Sequence, residues 1–239
     1  MRMRYWIGLA PLALAAACAP IESDMASPPA QAVTVSQPSE EIDIAAQQVL
    51  FWDDATRSDR FRRMEAFFPG LEVAAAPRPR ALPTGEPLRA DVEAALDAYV
   101  IEQQVAGVMV LQDGKVRYAN YGLDFTPDQR WTSFSVAKSF TSTLLGTAVK
   151  DGHLALSDTV SQHIPGLRGS AYDDVTIEQL ATMTSGVKWD EDYTDPNSDV
   201  ARMYSVTPVP GETQVVTYMK TLPREAPAGQ KFVYKTGET

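Results

Sequence analysis

Apolar residues change their spacing several times along this chain. From Tyr5 to Ala17 they form an almost unbroken run behind Arg2 and Arg4, ending at Cys18. The run is shorter than the roughly 20 residues a helix needs to cross a bilayer. A positive start, an apolar stretch and small residues before a break predict a secretory signal over residues 1–18, outside the fold. Residues 19–41 are rich in Ala, Pro, Ser and Gln with no hydrophobic period, and predict a flexible tether. Periodicity begins near Ile42, so residues 42–239 are expected to form the folded domain. Val49, Leu50, Phe61, Met64, Phe67 and Phe68, set among mixed charges, predict one or two short helices. Pro77, Pro79, Pro83 and Pro87 then impose an extended connector, because a proline ring pushes the preceding residue away from helical angles.

Over residues 89–104 the period becomes helical, with Val92, Leu96, Tyr99 and Val100 on one face. Residues 105–111 and 116–121 predict two strands, and Asp113-Gly114 between them is a strong hairpin signal. A second helix is expected over residues 135–150, ended by Gly152. Thr176, with Gln179 three residues on, has the pattern of a capping box that opens a third helix, which stops before Gly186. Two strands set among helices make a mixed α/β class.

Composition narrows the function. The chain has 239 residues, 44% of them apolar and 22% charged, enough for a sizeable core. Its formal net charge of −10 argues against a nucleic-acid surface, which needs clustered Lys and Arg. Cys18 is the only cysteine and cannot form an internal disulfide. It ends the stretch Leu14-Ala15-Ala16-Ala17-Cys18, which resembles a bacterial lipobox. That predicts a lipid on Cys18 and membrane attachment without a transmembrane helix; the alternative is cleavage after Ala17 or Ala19 and release. Either way the expected location is the bacterial cell envelope, as a periplasmic protein or an anchored lipoprotein.

No G-x-S-x-G elbow, H-E-x-x-H helix, Cys pair or glycine-rich phosphate loop is present. His153 and His163 lie in turn-like segments and are expected to be structural. Two His without a carboxylate cluster at ligand spacing predict no metal site. The candidate chemistry is Ser135-Val136-Ala137-Lys138. Residues three apart share a helix face, so the Lys138 amine can approach the Ser135 hydroxyl. Phe134, Ala137, Phe140, Leu144, Leu145 and Ala148 make the helix largely apolar. Such surroundings are expected to desolvate Lys138 and favour its neutral, proton-accepting form. The helix N-terminus would favour negative charge near Ser135.

Ser185-Gly186-Val187-Lys188 fits the same four-residue pattern. Gly186 interrupts it and an acidic run follows, so this second match is assigned to a loop. Tyr234 follows Phe232 in an alternating segment after the Pro227-Ala228-Gly229 turn, and a phenol near a lysine can shuttle a proton. Lys235-Thr236-Gly237 invites comparison with the K-T-G box of β-lactamases, but directly abuts Tyr234 and is taken as coincidental.

In combination these segments resemble the serine β-lactamase/DD-peptidase superfamily. The resemblance is carried by the nucleophile box 133–140, by residues 154–165 with Leu156-Ser157-Asp158, by 175–180 and 183–187, and by Phe232-Val233-Tyr234. Within the superfamily the chain is most similar to the class C-related branch of esterases and 6-aminohexanoate-dimer hydrolases, through Phe51-Trp52 to Arg57, Phe61-Arg62-Arg63-Met64, Pro69 and Lys188-Trp189-Asp190-Glu191-Asp192-Tyr193. The resemblance implies a β-lactamase/transpeptidase-like α/β fold, an antiparallel sheet flanked by helices beside a mainly helical region from about Ser157 to Arg224, with the remainder of the sheet beyond Thr239. It implies that Ser135 attacks an acyl carbon, Lys138 takes its proton, Tyr234 protonates the leaving group and the Ser135 N–H supplies half an oxyanion hole. Tyr193 is expected to line the substrate pocket. No cofactor is implied. The partner would be a small ester or amide, and Tyr234-Lys235-Thr236, in place of the Y-x-N of β-lactamases, suits that branch. The alternative is a catalytically silent or penicillin-binding envelope protein that uses the fold for binding.

Overall fold

A computed structural model describes residues 34–37, 49–73 and 77–239. The expected signal segment, Cys18 and most of the expected tether lie outside the described residues. Within that tether, Thr34–Ser36 forms a strand, β1, paired antiparallel with β2, Gly70–Glu72. The low-hydrophobicity composition hid this element, although Thr34 and Val35 are β-branched and suit a pleated chain. The chain divides into two compact units, residues 1–131 and 132–239.

In the first unit, helix α1 (Asp54–Arg60) is capped by Asp53, whose carboxylate accepts from the Thr56 N–H at 2.8 Å. Arg60 lies over the rings of Trp52 and Phe67 at 4.8 and 5.3 Å, and Trp131 packs edge-on against Phe61 and Phe125. Helix α2 (Ala90–Glu102) turns Val92, Leu96 and Val100 inward at four-residue spacing, with Val100 buried. Tyr99, expected on that face, is more than half exposed, because its position falls at the edge of the inward stripe. Strands β3 (Gly107–Gln112) and β4 (Lys115–Tyr121) form the expected hairpin. Asp113 and Gly114 both have positive φ, +53° and +73°, as the tight turn requires. Asp97 on α2 accepts from the Tyr118 hydroxyl at 2.6 Å and the Asn120 amide at 2.7 Å, which ties helix to hairpin.

The second unit is helical: α3 (Ala137–Lys150), α4 (Val160–His163), α5 (Ile177–Ala181), α6 (Asp199–Met203) and α7 (Gln214–Met219). Its core gathers Val160, Tyr172, Val175, Val187, Trp189, Val200, Met203 and Met219. Burial of each large apolar side chain contributes about 1.5–3 kcal/mol. The capping box is present: Thr176 Oγ1 accepts from the Gln179 N–H at 3.2 Å and Gln179 Oε1 accepts from the Thr176 N–H at 3.0 Å. Ser198 and Thr213 cap α6 and α7 with hydroxyls that accept from the Ala201 and Val216 N–H groups. Asp199 on α6 accepts from the Tyr218 hydroxyl of α7 at 2.6 Å and from the Asp190 N–H at 2.8 Å. This anchors the loop that carries Glu191 and Tyr193.

Candidate active site

Ser135 lies in a tight helical turn, Phe134–Val136, that runs directly into α3. The turn starts from a constrained backbone: Phe134 has φ +40°, a region that costs energy for any residue with a side chain. The turn continues as helix, so Lys138 follows Ser135 on the same side. Its Nζ donates to Ser135 Oγ at 3.1 Å. The Tyr234 hydroxyl donates to the same oxygen at 2.8 Å. Lys138 Nζ stands 5.3 Å from the centre of the Tyr234 ring. The structure thus converges the three expected side chains on one oxygen. The hydrogen bond with Ser135 holds the Tyr234 phenol below its ordinary value; Lys138 adds to this, against burial and the charge of Glu191.

The surroundings of Lys138 differ from expectation. Phe140 and Leu144, assumed to enclose it, are each 69% exposed, because they lie one helical turn apart on the opposite flank. Lys138 is half-buried and shares its own face with Thr141, Ser142 and Leu145. That face borders a cavity of about 200 Å³ whose other walls are Ile177, Leu180, Ala181, Met183, Glu238 and Thr239. The apolar lining beside Lys138 comes mainly from α5 and Met183, with Leu145 as the contribution of its own helix.

Ser185, of the second S-x-x-K match, is in a loop as expected. It is fully buried, whereas Lys188 is exposed. The Ser185 hydroxyl donates to Glu238 Oε1 and accepts from the Val187 N–H at 3.1 Å. Tyr172 donates to the same carboxylate oxygen at 3.0 Å. Lys235 Nζ lies 3.5 Å from Glu238 Oε1 and 3.3 Å from Ser185 Oγ, with both charged side chains wholly buried. Burial pushes the Glu238 carboxyl up, although Ser185, Lys235 and Tyr172 all favour its charged form. The K-T-G sequence is therefore no third wall facing Ser135. Its lysine is turned into the interior, while Tyr234, one residue earlier, faces Ser135 and is 38% exposed.

Glu191 is a further group at this site. Its carboxylate accepts from the Thr236 N–H at 2.9 Å, the Tyr193 hydroxyl at 2.5 Å, the Thr236 hydroxyl and the Trp189 indole. Burial would push this carboxyl up, but the bonds from Thr236, Tyr193 and Trp189 outweigh it and hold it low. Tyr193 is half-exposed, and burial together with Glu191 pushes its phenol up to about 12. Glu191, Lys235 and Glu238 were missed by spacing arguments, since their partners lie 45 to 53 residues away for Glu191–Thr236, Lys235–Ser185 and Glu238–Ser185. The one available signal was a lysine beside Tyr234 in an alternating segment.

With Ser135, Lys138 and Tyr234 assembled, sequence comparison fixes the family. Residues 92–238 match the model of the family described as Beta-lactamase. The chain belongs to the Beta-lactamase family. A β-lactamase of Pseudomonas fluorescens is 37% identical over 108 residues, which cover 41% of this chain and 30% of that protein. A 6-aminohexanoate-dimer hydrolase of Paenarthrobacter ureafaciens is 29% identical over 154 residues, 62% of this chain and 39% of that protein. A solved structure from Bacillus anthracis, provisionally named a 6-aminohexanoate-dimer hydrolase, shares the fold with a TM-score of 0.65 at 18% identity, covering 78% of this chain and 53% of that one. The expected β-lactamase-like fold is thereby confirmed. The chain spans 30% to 42% of the length of three curated Beta-lactamase and dimer-hydrolase relatives it matches.

Proposed function

We propose that this Beta-lactamase-family chain carries the nucleophile side of a serine hydrolase that forms an acyl-enzyme on Ser135 and acts on carboxylic esters or small amides. The observation that carries this reading is the convergence of Lys138 Nζ and the Tyr234 hydroxyl on Ser135 Oγ, at 3.1 and 2.8 Å. A serine hydroxyl is a weak nucleophile until a neighbouring base takes its proton. Lys138 in its neutral form accepts that proton as Oγ bonds to the acyl carbon. The Ser135 N–H, in the turn that opens α3, donates to the developing oxyanion. As the tetrahedral intermediate collapses, Tyr234 passes a proton to the leaving alcohol or amine and is reprotonated from Lys138. Water then adds to the acyl-enzyme, loses a proton to the same pair and releases the acid and Ser135.

Tyr193 would line the substrate side, with its hydroxyl bound to Glu191. The kinship with a 6-aminohexanoate-dimer hydrolase and the Tyr234-Lys235-Thr236 sequence support esters or small amides over β-lactams. Labelling the intact protein with a fluorophosphonate tests the reading: labelling at Ser135 and loss of p-nitrophenyl ester hydrolysis in Ser135→Ala are expected. An unlabelled protein whose Ser135→Ala variant matches wild type would overturn it.

We also propose export to the cell envelope with a lipid on Cys18, supported by the Tyr5 to Ala17 run and the residues before the cysteine. Cys18→Ala should move the protein from the membrane to the soluble fraction; unchanged fractionation would count against lipidation.

A further inference from the structure

Glu191 makes no contact with Ser135, yet its carboxylate collects four donors. Oε1 accepts from the Tyr193 hydroxyl and the Thr236 hydroxyl; Oε2 accepts from the Thr236 N–H and the Trp189 indole. Each carboxylate oxygen offers two lone-pair directions, so all four are used. Only a carboxylate supplies four acceptor sites in one plane. A glutamine of the same shape would aim an NH2 group at two donors. Thr236 is held through both backbone and side chain, only two residues after Tyr234. Glu191 is itself held: the Asp190 N–H before it is bound by Asp199 on α6 at 2.8 Å.

Tyr234 has much weaker fixation of its own. Its hydroxyl bonds to Ser135, and its ring faces Lys138 Nζ. Its placement therefore depends on the segment that carries it. We propose that Glu191 is a positioning residue, which sets where the Tyr234 phenol stands by clamping Thr236 through both its N–H and its hydroxyl. The consequence for rate rests on the serine-hydrolase reading above; the consequence for the phenol does not.

The ionisable groups that interact with Glu191 are Tyr193, Tyr204 and Tyr234. Those that interact with Tyr234 are Lys138, Glu191 and Tyr193. Two effects on Tyr234 then oppose one another. The charge of Glu191 disfavours the phenolate directly, whereas correct placement against Ser135 and Lys138 favours it. The Ser135 contact is the larger effect, so the direction of change separates positioning from simple charge.

The experiment is Glu191→Gln in the intact protein, with the Tyr234 phenolate followed by near-ultraviolet absorbance as the difference from the same protein carrying Tyr234→Phe. Positioning predicts that Tyr234 titrates at higher pH in Glu191→Gln, nearer an ordinary phenol, with kcat for ester hydrolysis lowered about ten- to a hundredfold. A titration that is unchanged or moves to lower pH overturns the proposal. Should Glu191→Gln fail to fold by circular dichroism, Thr236→Val takes its place, with a smaller rise expected and no rise counting as refutation. A raised titration in a protein that neither labels nor hydrolyses esters would leave the positioning role intact and remove the enzymatic reading.

Discussion

The Tyr234 hydroxyl meets Ser135 Oγ at 2.8 Å across 99 residues of chain. Lys138 reaches the same oxygen from three residues away. One partner of the serine is thus fixed by helical geometry and the other by the packing of the second unit, so the two respond differently to mutation. Ser135→Ala should abolish covalent labelling. Lys138→Ala and Tyr234→Phe should each slow acylation by about a hundred- to ten-thousandfold, the usual loss when a positioned proton carrier is removed. Stopped-flow acylation with an activated ester measures both.

The Ser135–Tyr234 bond also works in the other direction. Its presence holds the phenol below the ordinary value. Ser135→Ala should therefore raise the pH at which Tyr234 ionises, read from the absorbance difference against Tyr234→Phe.

The buried pair Lys235–Glu238 predicts an asymmetric mutational cycle. Glu238→Leu alone strands a buried ammonium and should cost about 3–5 kcal/mol. Lys235→Met with Glu238→Leu removes both charges and should recover most of that loss. Urea denaturation of the two variants and wild type measures the difference.

Acid should act through Glu191. Its carboxyl is held below an ordinary value near 4.5 in the folded protein. The stability it provides is present above that value and lost as pH falls through the lower, folded one. The melting-temperature gap between wild type and Glu191→Gln should accordingly narrow as the solution is acidified below about 4.5.

Gly186 should not accept a side chain. It has φ +72°, its carbonyl accepts from the Glu225 and Ala226 N–H groups at 2.8 and 2.9 Å, and an added Cβ would collide with the Ala226 carbonyl oxygen. Gly186→Ala combines backbone strain with overpacking and should cost about 2 kcal/mol or more, again by denaturation.

Features encoded over a few residues were legible in the sequence. The Asp113-Gly114 turn, the Thr176–Gln179 box and the Ser135–Lys138 spacing each depend on local geometry, and all three are present. The surroundings of Lys138 were not legible, because an apolar helix does not reveal which of its flanks is covered. Lys235 is the clearest case. A lysine in an alternating segment ordinarily belongs on the wet side, yet here it is wholly buried by Glu238 and Ser185. Glu191 lay within a recognised segment, but its role depends on Thr236, whose position no local pattern specifies.

The opposite facing of Tyr234 and Lys235 bears on how this region can change length. Deleting one residue between Gln230 and Val233 would pull Tyr234 and Lys235 off their separate partners, Ser135 on one side and Ser185 with Glu238 on the other. Such a shift parts Tyr234 from Ser135 and strands Glu238 at once. The length of this stretch is therefore a shared constraint, which couples the integrity of the site to that of the buried pair.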